Sequence, residues 1–243
     1  MRIGLFGKGR LGQAIAAALE RAGETLAWQV GREGPPAARV DCAIDASAGP
    51  AMPAHLDWAL STKTPLVAAA TGWSIPDLER RVGHSIGLLV APNLSLTVAL
   101  YARMVRALAR FAALDPARDP YLVEHHHMRK SDAPGGTAQQ LAEAILEECP
   151  RKTRWVTPAG YGALKPEELS VSAVRAGYTA SSHLVGLDAP GETLELVHRA
   201  RDLSPYGEGA VLAARWLSGK TGVFRMEDLA GELLDPLFAR RKA

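Results

Sequence analysis

The chain has 243 residues, room for one large or two small domains at about 100–200 residues each. Apolar residues make up 47% and charged residues 22%, so the chain can bury a core and does not belong to the disordered class. A net charge of +2, with scattered arginines and only 6% aromatics, argues against nucleic acid or an anionic membrane surface as the main partner.

The elements follow in chain order. Arg2–Phe6 is a short apolar run and predicts a buried strand rather than a signal peptide. Gly12–Ala22 carries Ile15, Leu19 and Ala22 at helical spacing. Thr25–Val30 and Val40–Ala46 predict a second and a third strand, and Pro53–Leu60 a helix. Pro65–Ala69 predicts the fourth strand, Ile75–Val82 a helix and Ser85–Ala91 the fifth strand. This βα alternation predicts an α/β fold with a parallel sheet covered on both faces.

The pattern changes after Asn93. Ser95–Ala113 predicts a long helix, Tyr121–His127 a strand and Thr137–Glu148 a helix. Three strand-like runs follow without intervening helices: Leu169–Arg175, His183–Leu187 and Thr193–Ala200. They predict a mixed or antiparallel sheet in a second domain. Tyr206–Leu217 returns to helix. No run reaches the ~18 apolar residues of a membrane span. Cys42 and Cys149 are not in a C-x-x-C pair and read as reduced thiols. The expectation is a soluble, cytoplasmic protein that contacts no membrane.

Gly7-Lys8-Gly9-Arg10-Leu11-Gly12 fits G-x-G-x-x-G between the first strand and the first helix. In that setting the first glycine permits a tight turn and the second a close approach to a pyrophosphate. The third lets helix and strand pack closely, and the helix N-terminus faces the phosphates. The end of the second strand selects the dinucleotide. Arg32 favours the 2′-phosphate of NADPH, whereas Glu33 keeps NADH open.

Glu124–Thr137 reads EHHHMRKSDAPGGT and holds three of the seven histidines. Strand alternation places His125 and His127 on one face and His126 on the other, unless a bend at the strand end joins His126 to His127. Gly135 and Gly136 are expected to expose bare N–H groups beside Lys130, where a helix opens. That combination suits a carboxylate, and a histidine can supply a proton near neutral pH. A metal site needs a second ligand cluster, which the sequence does not display, and H-E-x-x-H is absent. No metal is therefore expected.

These residues resemble the signature E-x-H-H-x-x-K-x-D-A-P-S-G-T of the 4-hydroxy-tetrahydrodipicolinate (dihydrodipicolinate) reductase family. Ile44-Asp45-Ala46-Ser47, Ala69-Ala70-Thr71-Gly72-Trp73, Ala91-Pro92-Asn93-Leu94-Ser95 and Val174-Arg175-Ala176-Gly177 resemble further family segments in the same order. The resemblance implies NADPH- or NADH-dependent reduction of a cyclic, unsaturated dicarboxylate in the diaminopimelate route to lysine. It implies His126 as general acid/base and Lys130 as a second proton donor. It implies substrate contacts from His127, Gly136 and Thr137, and nicotinamide contacts from Ala69, Ala70 and Thr71 and from Ala91, Pro92, Asn93 and Leu94. It also implies a Rossmann-like dinucleotide-binding domain of residues 1–94 and 207–243. Residues 95–206 would be an α+β substrate domain whose mixed sheet builds a homotetramer.

The chain departs from the family pattern in four places. The glycine loop is one residue shorter than G-A-x-G-R-M-G, Gly135 stands for serine, and Ala69-Ala70 stands for Gly-Thr. After Gly177 the sequence is Tyr-Thr-Ala-Ser-Ser-His in place of D-x-x-G-x-H. Three alternatives stay open at this level: a related amino-acid or imino-acid dehydrogenase, a non-catalytic dinucleotide sensor, and a histidine-centred metal hydrolase.

Overall fold

The computed structural model describes residues 1–34, 38–158, 162–178 and 181–239. Thr179 and Ala180, in the departure after Gly177, lie outside the described residues. The chain divides into two compact units, Met1–Ala99 with Leu203–Ala243, and Leu100–Asp202.

The first unit holds strands β1 (Arg2–Phe6), β2 (Thr25–Val30), β3 (Cys42–Asp45), β4 (Leu66–Ala68) and β5 (Gly87–Val90). Its helices in this stretch are α1 (Arg10–Arg21), α2 (Met52–Thr62) and α3 (Leu78–Val82). Helix α4 (Leu96–Ala113) begins in this unit and continues into the next. In the second unit come β6 (Asp119–His126), α5 (Gly136–Glu148), β7 (Arg154–Val156), β8 (Glu168–Arg175), β9 (Ser181–Ala189) and β10 (Glu192–Ala200). The chain then completes the first unit with α6 (Ser204–Leu217), β11 (Gly222–Arg225) and α7 (Met226–Leu234).

The first sheet has the order β11-β5-β4-β3-β1-β2, and every neighbouring pair is parallel. Leu5, Ile44, Val67 and Leu89 of its strands are buried against Ile15 and Leu19 of α1 and Ala210, Ala214 and Leu217 of α6. The opposite face packs Phe6, Ala43, Leu66 and Leu88 with Met52 and Leu56 of α2. Burial on both faces explains why these strands read as continuous apolar runs rather than alternating ones. The chain runs from β1 to β2 on one side and then crosses to β3 on the other. Strand order therefore reverses at β1, where open α/β sheets bind ligands beyond the carboxyl ends of their strands. This is the Rossmann-like arrangement.

The second unit's sheet is mixed, in the order β10-β9-β6-β8-β7. Central β6 runs parallel to β8 and antiparallel to β9. Leu122, Leu169, Val171, Val185 and Leu187 bury one face against Val105 and Leu108 of α4 and Leu141 and Ile145 of α5.

Several elements differ from expectation. The helix predicted over Ile75–Val82 is only Leu78–Val82. Ile75 precedes Pro76, which disfavours the helical region, and Asp77 is left-handed at φ 50°. β7, β11 and α7 were not foreseen from the sequence pattern. Among the described residues, no helix is long and apolar enough to cross a membrane.

Candidate active site

In the first unit, the three loop glycines differ in their surroundings. Gly7 has φ +110°, and a Cβ there would lie 2.4 Å from the Ala46 carbonyl oxygen. A Cβ on Gly12 would lie 2.2 Å from the Gly7 carbonyl oxygen. Both sites are closed by rigid backbone, so only glycine fits. Gly9, by contrast, faces open space within 4 Å. It precedes α1 with extended backbone, and no acceptor among the described residues takes the N–H groups of Arg10, Leu11 and Gly12. First-turn amides without a protein acceptor, beside an open glycine, are groups that can bind an anion such as phosphate.

At the end of β2, the Glu33 carboxylate is ion-paired to Lys8 of the glycine loop. That hydrogen bond, with backbone N–H groups helping, pulls its pKa down to about 2. Arg32 is exposed. The strand-end charges are thus unequal in use: the acid is already neutralised by a neighbour.

The loops after β4 and β5 hold the other expected cofactor residues. The N–H groups of Ala69 and Ala70 both donate to the Asp45 carbonyl, at 2.8 and 3.0 Å. Ala70, Thr71 and Pro92 line a cavity of about 380 Å³ with Trp73, Val90 and Arg225. Ala91 and Leu94 are buried in the core, so contacts from them must come through the backbone. The Asn93 side chain accepts from the Ser95 N–H at 3.0 Å and shapes the turn into α4.

Asp45 carries a network that sequence reading did not single out. Its fully buried carboxylate accepts from the Ser47 N–H at 2.8 Å and from the Ser47 hydroxyl at 2.5 Å. His55 Nδ1 lies 2.7 Å from the other oxygen, and its ring stacks on Phe6. The network fixes the Ala46–Ser47 turn against which Gly7 packs.

In the second unit, β6 carries the histidine segment. Leu122, Glu124 and His126 share the covered face, so a carboxylate stands where a core residue would be expected. The strand ends at His126, and His127 lies in the following turn, where its carbonyl accepts from the Lys130 N–H. His125 takes the other face and reaches the Ala176 carbonyl through Nε2, at 3.0 Å.

Glu124 organises what surrounds it. Oε1 accepts from the Gly135 N–H at 2.9 Å and is ion-paired to Arg175. Oε2 lies 3.6 Å from His126 Nε2 and 3.7 Å from His183 Nε2. Sheet register explains the grouping: His183 of β9 sits opposite Glu124, and Arg175 of β8 sits opposite His126. Burial, with the His126 charge nearby, pushes the His183 pKa down to about 4, so this imidazole is neutral at physiological pH.

Two expectations change here. Gly135 does not offer a bare amide, because Glu124 takes it. The free first-turn amides of α5 are those of Gly136, Thr137 and Ala138, which have no acceptor among the described residues. Nor is the place of the missing serine side chain empty. A Cβ on Gly135 would meet Lys130 Cε at 2.8 Å, with Lys130 Nζ and Glu124 Oε2 each at 3.1 Å. Lys130 Nζ itself pairs with Asp132 at 2.6 Å, which lowers the Asp132 pKa.

Glu124, His126 and His183 bring three potential donor atoms within 4.8 Å of one another. The sequence concealed this cluster because His183 arrives on another strand. The Arg175 guanidinium already neutralises Glu124, and the Lys130 ammonium lies close by. With two cations beside the carboxylate, the group suits a single exchangeable proton better than the higher charge of a metal ion.

A family model described as dihydrodipicolinate reductase, C-terminus, matches residues 97–230, more than half of the chain. The 4-hydroxy-tetrahydrodipicolinate reductase of Myxococcus xanthus is 35% identical over 202 residues, covering 80% of this chain and 73% of that one. The chain belongs to the dihydrodipicolinate reductase family. A relative in Zymomonas mobilis, also a 4-hydroxy-tetrahydrodipicolinate reductase, is 32% identical and covers 95% of this chain and 97% of its own. A solved dipicolinate-bound dihydrodipicolinate reductase from Paenisporosarcina sp. TG-14 has TM-score 0.73, at 18% identity over 93% of this chain and 97% of that one. At that identity it supports the fold, and the fold is that of the dihydrodipicolinate reductases.

Proposed function

We propose that this chain reduces 4-hydroxy-tetrahydrodipicolinate to tetrahydrodipicolinate with a nicotinamide dinucleotide, in the diaminopimelate route to lysine. The supporting observation is the grouping in one place of a histidine, a lysine and the free amides of a helix N-terminus. The substrate is a dicarboxylate, and these are groups that hold anions and move protons.

The first unit is the dinucleotide unit in this reading. The amides of Arg10, Leu11 and Gly12, above open Gly9, receive the pyrophosphate. Gly7 and Lys8 complete the loop. Ala70, Thr71 and Pro92 face the nicotinamide, with Ala69, Ala91, Asn93 and Leu94 shaping their turns. The bound dinucleotide supplies the hydride. NADPH is the preferred form, because Arg32 is exposed for a 2′-phosphate while Glu33 is engaged by Lys8.

The second unit holds the substrate. The Gly136 and Thr137 amides and His127 bind a carboxylate. Hydride addition to a conjugated imine leaves negative charge on the substrate, and His126 donates the proton that quenches it. Lys130 is the second donor and offsets the charge of the dianion. The protein is expected to work as a homotetramer.

The test is reduction of freshly prepared substrate by the purified protein, followed by oxidation of NADPH and NADH. Substrate-dependent oxidation supports the reading. Oxidation with other cyclic imines or 2-oxo acids, but not with this substrate, would transfer the chain to the related dehydrogenases.

A further inference from the structure

We infer that Glu124 is a positioning residue with two separable tasks: it keeps the proton on His126, and it fixes the anion cradle through the Gly135 amide. The inference rests on the reductase reading for its catalytic meaning, but its geometry does not depend on that reading.

The Glu124 carboxylate is fully buried, and its two oxygens are used differently. Oε1 holds Gly135, the residue that precedes α5, and Arg175. Among the described residues Oε2 has no hydrogen-bond partner, and it faces two imidazoles. A buried carboxylate oxygen left unpartnered is costly and needs a reason. At 3.6 Å the contact with His126 is longer than a hydrogen bond, yet close enough for strong charge attraction. Such contacts commonly tighten only when substrate is bound.

Two imidazoles lie at nearly equal distances from one carboxylate, so the carboxylate alone cannot choose between them. Exposure does. The His183 side chain is 4% exposed and that of His126 is 13% exposed. Charging His183 would require a more deeply buried cation, and its Nε2 also has no hydrogen-bond partner. The proton therefore resides on His126, the histidine at the end of β6. Among the described residues, the other charged or titratable groups around this pair include Lys130 and Asp132 of the loop, Arg175 of β8 and His198 of β10. Lys130 and Arg175 oppose a charged His126, so Glu124 is required to offset them.

The cradle is the second task. Gly135 donates inward to Glu124, and the next amides of α5, those of Gly136 and Thr137, have no acceptor among the described residues. Glu124→Gln removes the charge but keeps an oxygen that can accept from Gly135. Glu124→Ala removes both.

The experiment is a ¹⁵N NMR titration of the histidines in the free protein, paired with binding of dipicolinate as a dicarboxylate probe. Glu124→Gln should lower the pH at which His126 loses its proton by one unit or more, and dipicolinate binding at low pH should change less than threefold. Glu124→Ala should weaken dipicolinate binding tenfold or more. Where Arg175 left unpaired prevents folding of Glu124→Gln, the double variant Glu124→Gln/Arg175→Gln restores charge balance and is titrated against Arg175→Gln, so that only the loss of the Glu124 charge is read. A His126 titration that moves by less than one unit in a folded variant overturns the first task. Equal dipicolinate affinity in folded Glu124→Ala and wild type overturns the second. Wild-type protein without reductase turnover would remove the reductase reading alone, because neither readout requires turnover.

Discussion

Substituting alanine at Gly9 separates fold from cofactor binding within the glycine loop. Gly9 has φ −75°, which alanine adopts freely, and nothing lies within 4 Å of the added Cβ. The variant loses unfolded-state entropy, worth about 0.4–1 kcal/mol in its favour. Alanine is a poorer residue than glycine before a helix, and this costs a similar amount. Thermal stability should therefore move by less than about 3 °C, since 1 kcal/mol corresponds to roughly 2–4 °C at this size. The methyl group nevertheless occupies the approach to the first-turn amides of α1. Loss of a single charge-assisted phosphate hydrogen bond, about 1.5–3 kcal/mol, weakens dinucleotide binding roughly 10- to 150-fold. Gly12→Ala is the contrast: its Cβ would lie 2.2 Å from a backbone oxygen, so stability itself should fall by more than about 2 kcal/mol. Calorimetric titration with NADPH, alongside thermal melting, reads both quantities. Unchanged NADPH affinity in Gly9→Ala would refute the assignment of the loop to the pyrophosphate.

Four further outcomes follow from the same geometry. Arg32→Ala should raise KM for NADPH more than for NADH, and equal effects in steady-state kinetics would remove Arg32 from the 2′-phosphate. Lys130→Ala should slow turnover by about 10²- to 10⁴-fold with little change in dinucleotide affinity, and an unchanged kcat would exclude Lys130 from proton transfer. Gly135→Ser should be tolerated, because the added Cβ meets chiefly the flexible end of Lys130 and the new hydroxyl can donate to Glu124 Oε2. A fall in Tm of more than about 5 °C, beyond the roughly 2–4 °C that 1 kcal/mol produces, would contradict that. His183 adds a pH dependence: its folded pKa, about 4, lies below the unfolded value of 6.5. The unfolded chain thus binds more protons between those pH values, and stability should drop as pH falls through that window, by roughly 3 kcal/mol in total. Denaturant melts of wild type and His183→Gln should differ in slope there, and parallel curves would refute it.

The sequence exposed the parts of this molecule whose cause is local. Arg2–Phe6 lies inside the parallel sheet and is buried from Ile3 onward, so it stands out as an apolar run with correct ends, and the half-buried edge strand Thr25–Val30 is legible with correct ends too. Gly7 and Gly12 of the loop each answer a separate steric demand, whereas Gly9 leaves open space beside the first turn of α1, and the spacing of the three announces it. Short elements were less visible. Arg154–Val156 has three residues, too few for a periodicity, and Gly222–Arg225 is a strand because it pairs with β5. The candidate site was half legible. His126, Lys130, Gly136 and Thr137 lie in one segment, but His183 and Arg175 join it only through the pairing of β6 with β9 and β8. Glu124 was in plain view in the segment, yet nothing local marks a carboxylate as buried. The inward turn of the Gly135 amide follows from that burial, as does the filling of the Gly135 site by Lys130.

The most direct test of the reductase assignment is single-turnover and steady-state reduction of freshly made 4-hydroxy-tetrahydrodipicolinate with NADPH by wild-type protein and His126→Ala. Wild-type protein should oxidise NADPH in a substrate-dependent manner. His126→Ala should turn over more slowly by about two orders of magnitude or more, with NADPH affinity retained. Wild-type protein that binds NADPH but does not oxidise it with this substrate would contradict the assignment, and a His126→Ala variant with undiminished turnover would contradict the role given to His126.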